Sequence, residues 1–360
     1  MDEKQSRPKV AVTGASGLVG GHVVEYLAKG GYSMVAVVRS PESARQLTKF
    51  LDDMKGSIDV RLAQAAVSDA KALAEAFSGC DVVVHAAGSV NPYGSRQDIF
   101  ATNVDGTKNV LAAAEKANVK HFIFISSLSV ITGQGDQFNL DESAPLRPCG
   151  ESYADSKIEA EKAVMASSGR LKVTSLRPGF IYGPGERSWM PRLITNIRNG
   201  KAMLIDGGKR ETNVIYVGNL CRAVEKTLLN PKSFGQVYNL TDGQSISKKQ
   251  LFDAIADGLS LPRVTKSVPR PVAQLACTVV SGIAPMLSSQ TQQKMSRFSR
   301  AAFRLAAVNQ GFSIAKAQRD LGYTDRILFH EGMARTLESF RVSAGESHDS
   351  RTELSSMRQE

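Results

Sequence analysis

The sequence predicts an α/β protein: a doubly wound parallel sheet with helices on both faces, and a smaller second domain assembled from discontinuous segments. Three observations carry this. Short apolar runs alternate with stretches of helical spacing through the first half of the 360 residues. A glycine-rich turn, Thr13-Gly14-Ala15-Ser16-Gly17-Leu18-Val19-Gly20, directly follows the first apolar run. After Pro178 the alternation gives way to clustered turn residues at Gly179, Gly183, Pro184 and Gly185.

Taken in order, Val10-Ala11-Val12 reads as a buried strand and His22 to Leu27 as a helix, which Gly30-Gly31 stops. Met34 to Val38 is a second strand, Ile58 to Leu62 a third, and Ala70 to Phe77 a helix. Gly79-Cys80-Asp81 turns the chain into the strand Val82-Val83-Val84. Asn103 to Ala117 has helical spacing, and His121 to Ile125 and Val173 to Leu176 are β-rich. Thr212 to Val217 and Val237 to Leu240 read as strands returning to the sheet. The division expected is 8–185 for the cofactor domain, with 212–242 rejoining it, and 186–211 with 243–340 for a substrate domain. The Ser/Glu/Arg-rich stretch 342–360 reads as a disordered tail.

Composition is that of a globular protein, with 42% hydrophobic and 22% charged residues. The formal charge is +10. Residues 1–150 carry 15 basic and 16 acidic side chains, against 30 and 19 in 151–360, so the positive charge belongs to the second part. Cys80, Cys149, Cys221 and Cys277 form no zinc or redox spacing, so no metal is expected, and a reduced, cytoplasmic protein is the simplest reading. The N-terminus lacks the apolar core of a signal peptide.

Gly14, Gly17 and Gly20 recur at i, i+3 and i+6 after a strand and open a helix. The first two let backbone turn tightly against a pyrophosphate, and the third lets helix and strand pack closely. The helix N-terminus then offers N–H donors to the anion, so Gly14, Ser16, Gly17, Leu18, Val19 and Gly20 are candidate cofactor contacts. The second strand ends at Val38, where NAD-binding folds place an acid for the ribose hydroxyls. Arg39 stands there instead, with Arg45 further on, which favours the 2′-phosphate of NADP over NAD.

Tyr153 and Lys157 lie four residues apart, on one face of a helix. A free tyrosine titrates near ~10, and a neighbouring ammonium together with a positive nicotinamide ring would lower it toward the range of a useful proton acceptor. Ser127 follows the strand ending at Ile125, where its hydroxyl would bind a substrate oxygen.

The blocks TGASGLVG (13–20), HAAG (85–88), NVDGTKNVL (103–111), SSLSV (126–130), YADSK (153–157) and RPGFIYGPG (177–185) occur in that order. Together they resemble the extended short-chain dehydrogenase/reductase superfamily over residues 8–340, whose first domain is a Rossmann fold. The resemblance implies that Tyr153 is a general acid/base, Lys157 its tuner and ribose ligand, and Ser127 the ligand of the substrate oxygen. Ala86, Ala87, Gly88 and Ser126 would line the cofactor, Pro178 and Gly179 would flank the nicotinamide, and Asn103 would support the site or cap a helix. His85 reads better as a packed strand-end residue than as a catalytic one. Where the family often has an acidic adenine contact, this chain has Ala66-Val67-Ser68-Asp69.

Sugar-nucleotide dehydratases of this superfamily carry acids at the catalytic strand end. Here the run is Ser127-Leu128-Ser129, which disfavours elimination. Val38 to Glu42 resembles NADP-using dihydroflavonol reductases. Phe312 to Ala317 with Leu321-Gly322-Tyr323 resembles the C-terminal block of 3β-hydroxysteroid-dehydrogenase-like proteins. The reading these favour is an NADP(H)-dependent oxidoreductase interconverting a carbonyl and a secondary alcohol on a hydrophobic substrate. A sugar-nucleotide epimerase and a non-catalytic NADP-sensing scaffold are the alternatives, and a homodimer is a family expectation.

Residues 258–319 contain nine Lys/Arg and no Asp/Glu, around the apolar run Val272 to Leu287. Lys294, Arg297, Arg300 and Arg304 follow helical spacing, with Met295, Phe298, Ala302 and Leu305 able to form an apolar stripe. Three readings are open: a substrate lid with a solvated basic face, a peripheral membrane contact through 272–305, and a nucleic-acid patch. The last is disfavoured because no aromatic platform accompanies the charge.

Overall fold

The structure is a computed structural model describing residues 7–52, 58–90, 94–133, 135–283, 303 and 306–341. The tail 342–360 and most of the basic stripe, including Lys294, Met295, Arg297, Phe298, Arg300, Ala302, Arg304 and Leu305, lie outside the described residues.

Seven strands form one parallel sheet: β1 (Val10–Thr13), β2 (Met34–Val38), β3 (Val60–Gln64), β4 (Val82–His85), β5 (His121–Ile125), β6 (Lys172–Pro178) and β7 (Gln236–Leu240). Their order is β7-β6-β5-β4-β1-β2-β3. The order reverses between β1 and β4, which makes the ends of these two strands a topological switch point. The central strands are almost uniformly Val, Ile, Phe and Ala because helices cover both faces. Helices that accompany this sheet include α1 (Leu18–Lys29), α2 (Pro41–Asp52), α3 (Ala70–Phe77), α4 (Arg96–Phe100), α5 (Gly106–Lys116), α6 (Ser152–Ala166), α7 (Val217–Thr227) and α8 (Ala315–Leu321). One face packs Leu73, Phe77, Val110, Leu111, Ala160 and Val164 of α3, α5 and α6 against Ala11, Val35, Val83, Phe122 and Phe124. On α1 and α7, Tyr26 Oη donates to Glu225 Oε2 at 3.0 Å.

Three elements differ from the sequence reading. β3 begins at Val60 rather than Ile58, in register with Met34. It is an edge strand with Leu62 exposed, so it lacks the unbroken apolar run that fixes the ends of the central strands. The helix expected from Asn103 begins at Arg96, where Ser95 Oγ caps it by accepting from Asp98 N at 3.1 Å. Val214–Tyr216 does not return to the main sheet but pairs with Phe180–Tyr182, whereas β7 does return, against β6.

The chain divides into two compact units. The first comprises Met1–Gly179, Val217–Gly243 and Gly311–Arg326, and the second Phe180–Tyr216, Gln244–Gln310 and Ile327–Glu360. In the second unit, Leu204–Ile205 pairs with Ser267–Val268, and Glu211–Thr212 with Ile246–Ser247. Lys248 holds these pieces together, its Nζ donating to the carbonyls of Glu211 and Val308 at 2.8 Å each. Tyr182, fully buried, packs against Tyr216 and Phe329.

Candidate active site

The sequence-predicted site residues all belong to the first unit and lie at or beyond the C-terminal ends of its parallel strands. Gly14 to Gly20 follow β1, Arg39 follows β2, Ala86 to Gly88 follow β4, Ser126 and Ser127 follow β5, and Pro178 and Gly179 close β6. Tyr153 and Lys157 are on the first turns of α6, and Asn103 sits in the short π-helical turn Ala101–Asp105 between α4 and α5.

The β1–α1 turn is shaped for close backbone approach. Gly14 has φ +69°, and a Cβ there would lie 2.7 Å from Cα and N of Ala87. A Cβ on Gly20 would lie 2.2 Å from the Gly14 carbonyl oxygen, so the helix comes this close to the turn only because Gly20 lacks a side chain. Gly17 leads into α1, and no side chain caps the helix there. The first N–H groups of α1 therefore keep their donors for an anion. Ser126 Oγ is buried without a hydrogen-bond partner among the described residues. The glycine cradle, the uncapped helix and this lone hydroxyl fit a dinucleotide held by Gly14 to Gly20, Ala86 to Gly88 and Ser126.

The strand ends are riveted by a chain of side chains that sequence reasoning missed. Thr13 and His85 are register partners across β1 and β4, and Thr13 Oγ1 lies 2.7 Å from His85 Nδ1. His85 Nε2 lies 3.0 Å from Thr107 Oγ1, which itself donates to the Asn103 carbonyl at 2.6 Å. With that Thr107 hydrogen committed, Nε2 carries the ring proton and Nδ1 accepts from Thr13. Ala87 N donates to Thr13 Oγ1 at 3.4 Å, which continues the chain into the turn after β4. Burial, and then the charge of Lys157, pull His85 down to about 3, so it is a neutral structural residue. The partners are 72 and 22 residues from His85 in sequence, and no local pattern signals them.

Asn103 performs the second join. Its Oδ1 accepts from Ser89 N at 2.6 Å, and its Nδ2 donates to the Ser89 carbonyl at 3.0 Å and to Ser156 Oγ at 2.9 Å. Ser156 Oγ donates in turn to the Tyr153 carbonyl at 2.8 Å. Asn103 thus ties the loop after β4 to the first turn of α6 and is not a helix cap. The extra residue of the π turn belongs to the same helix segment that brings this amide inward.

Lys157 Nζ donates to the Ile125 carbonyl at 2.8 Å and stands 4.7 Å from the centre of the Phe124 ring. A Cβ on Gly88 would be 3.5 Å from this ammonium. Burial pulls Lys157 down to about 8, opposed by Glu161 one turn further along α6. Burial pushes the Tyr153 phenol above the usual range, and the Ser127 side chain pulls the other way. Lys157 does not lower it here, because the ammonium is directed at Ile125 and Phe124. Ser127 is positioned by the main chain: Ser126 N donates to the Leu176 carbonyl at 2.7 Å and Leu128 N to that of Pro178 at 3.0 Å. Its Oγ accepts from Ser129 N at 3.1 Å.

Asp69, beside the missing adenine acid, serves the helix that follows it, where its Oδ1 accepts from Ala72 N at 3.0 Å and caps α3. Arg45, expected to help hold a 2′-phosphate, is engaged by Glu42 at 2.5 Å, and Arg39 is exposed.

A family model described as the NAD dependent epimerase/dehydratase family matches residues 10–241. The chain is 28% identical over 330 residues to the 4-hydroxy-2-methyl-3-oxo-4-farnesyl-3,4-dihydroquinoline-1-oxide ketoreductase of Stigmatella aurantiaca, covering 89% of this chain and 93% of that one. It is 31% identical over 332 residues to the decarboxylating sterol-4-alpha-carboxylate 3-dehydrogenase of Schizosaccharomyces pombe, covering 89% and 94%. Among solved structures, MoeE5 in complex with UDP-glucose and NAD matches with a TM-score of 0.71 at 23% identity, over 93% of this chain and 99% of that one. The expectation of NADP is corrected by these comparisons, because the solved neighbours with a bound dinucleotide carry NAD. The physical reason is local: with Arg45 paired to Glu42, an exposed Arg39 alone does not form a 2′-phosphate clamp.

Proposed function

Because the chain belongs to the NAD dependent epimerase/dehydratase family and is an NAD(P)-dependent oxidoreductase acting on the CH–OH or carbonyl group of a small organic substrate, we infer that NAD is its cofactor and that Tyr153, Ser127 and Lys157 carry its chemistry. Bound NAD supplies a nicotinamide ring able to accept or return a hydride. Gly14 to Gly20 would hold the pyrophosphate on the N–H groups of α1, and Lys157, beside Gly88, would donate to the nicotinamide ribose. In oxidation, Tyr153 would act as the phenolate, a form that the positive charge of an oxidised nicotinamide ring would favour, and would receive the proton of the substrate hydroxyl while Ser127 Oγ holds the same oxygen. In reduction, Tyr153 returns that proton to the carbonyl oxygen. Asn103 and Ser156 hold the first turn of α6 so that the phenol keeps its place. An oxidoreductase with this proton relay leaves no role for the non-catalytic scaffold.

The observation that carries this reading is the tie between α6 and the end of β5, where Lys157 Nζ donates to the Ile125 carbonyl at 2.8 Å, with Tyr153 one turn earlier on the same helix and Ser127 just past that strand end. Tyr153→Phe should lower turnover about 10²–10⁴-fold and leave NAD affinity within about twofold. Turnover at the wild-type rate would remove Tyr153 from the chemistry.

Two substrate classes share this relay. The family model, and solved neighbours holding UDP-glucose or UDP-glucuronic acid with NAD, favour a sugar-nucleotide epimerase, in which oxidation and reduction cancel. Relatives named as a ketoreductase and a sterol dehydrogenase favour net oxidoreduction of a hydrophobic alcohol or ketone. Incubation with UDP-glucose, UDP-glucuronic acid and a 3β-hydroxysterol in parallel separates them. Epimerised sugar nucleotide without net NADH marks the first class, and stoichiometric NADH with the sterol marks the second.

A further inference from the structure

The helix Arg270–Ile283 in the second unit is out of keeping with its composition. Val272, Ala273, Leu275, Ala276, Cys277, Val279 and Val280 make it apolar, yet among its described side chains only Cys277 is buried. Helices apolar to this degree are normally enclosed. Val272 is 56% exposed, Leu275 66% and Val279 54%. At i, i+3 and i+7 these three project from one face, with Ala276 beside them.

We propose that this face of the helix Arg270–Ile283 is a peripheral docking surface for an anionic lipid bilayer. The helix has 14 residues, about 21 Å in length, against about 30 Å for a hydrocarbon core. No helix among the described residues is long and apolar enough to cross a membrane. The helix therefore lies in the plane of the interface, with Val272, Leu275 and Val279 inserted at the acyl boundary.

The charge of its own stretch of chain selects the occupant. In sequence the helix lies within 258–319, which carries nine Lys/Arg and no Asp/Glu; of these, Lys266, Arg270 and Arg263, the last paired with Asp257, belong to the described part of the second unit. Lys266, in the approach to the helix, gives its Nζ to the Gly200 carbonyl at 2.9 Å and pairs with no carboxylate among the described residues. Leu204 N is bonded to the Lys266 carbonyl, and the neighbouring Met203 is 50% exposed and adds apolar surface. A second copy of the chain, with a formal charge of +10, would set like charges against each other, whereas anionic headgroups neutralise them.

The test uses the full chain and extruded vesicles of phosphatidylcholine, alone or with about 30 mol% phosphatidylglycerol. The expected result is a partition coefficient at least about 10-fold higher on the anionic vesicles, falling as salt is raised from about 0.1 to about 0.5 M. Combined Val272→Ser, Leu275→Ser and Val279→Ser should lower it at least about 10-fold, and Leu275→Ser alone by a smaller factor. The NAD-binding residues are in the first unit, so NAD titration and far-UV circular dichroism should match wild type in both variants. Three results would overturn the proposal: no preference of the wild type for anionic vesicles, undiminished binding of the correctly folded triple variant, or a concentration-dependent dimer that the triple variant abolishes.

Discussion

Single residues set the site to within a few tenths of an ångström. Gly14 combines a left-handed backbone with contact against Ala87 that leaves no room for a methyl group. Gly14→Ala should therefore weaken NAD binding at least about 10-fold, because the backbone must withdraw to relieve both the clash and about 1–3 kcal/mol of strain. Calorimetric titration with NAD reads this directly, and an unchanged dissociation constant would show that the turn does not form the pyrophosphate seat. Residues of this kind are legible because their spacing is local: Gly14, Gly17 and Gly20, or Tyr153 and Lys157, are defined within one turn and one helix face. Residues that act by reaching across the sheet are not. His85 reads as a packed strand-end residue, but its two threonine partners, and with them its tautomer, follow only from the pairing of β1 with β4. The departure at Arg39 has the same origin, since whether it has a helper depends on how Arg45 pairs with Glu42.

At the scale of elements, α6 and β6 are joined behind the site by a buried ion pair. Arg177 contacts Glu161 through Nε at 3.0 Å and Nη2 at 2.5 Å, Ser175 Oγ donates to the same carboxylate at 2.8 Å, and both charged side chains are almost wholly enclosed. Glu161→Gln leaves the guanidinium buried without its counter-charge and should cost about 3–5 kcal/mol in urea unfolding. Replacing both residues by Met should cost much less, and equal losses would mean that packing rather than charge dominates. The elements are readable in proportion to their burial. The central strands stand out as unbroken apolar runs, while the start of the edge strand β3 differs from its sequence reading by two residues. The π turn at Ala101–Asp105 escapes sequence reading because one extra residue inside a helix leaves the hydrophobic spacing on either side nearly intact.

At the scale of the whole molecule, stability should depend on acid through two enclosed histidines. His85 is held down to about 3 and His121 to about 4, both mainly by burial, against about 6.5 in an unfolded chain. Below pH 6.5 the unfolded chain binds protons that the folded chain refuses, so their contribution is complete above 6.5 and is lost as pH falls toward 4. The thermal midpoint should fall between pH 7 and pH 5, ahead of most carboxylate titration, and a flat profile there would sink the assignment. The doubly wound sheet is legible at this scale because it repeats one unit, strand then helix. The second unit is not, because its two-residue strands are specified by distant pairing rather than by any run in the sequence. The three-segment build of the first unit also sets a timetable for synthesis. β6 emerges with residue 178, but its outer neighbour β7 follows only after the segment 180–216 of the other unit and ends at residue 240. A nascent chain must carry an open sheet edge through that interval, the state in which strands recruit wrong partners. The unit closes only once residue 326 has been made, so synthesis halted before then leaves a sheet furnished with its candidate site residues but without its last helix.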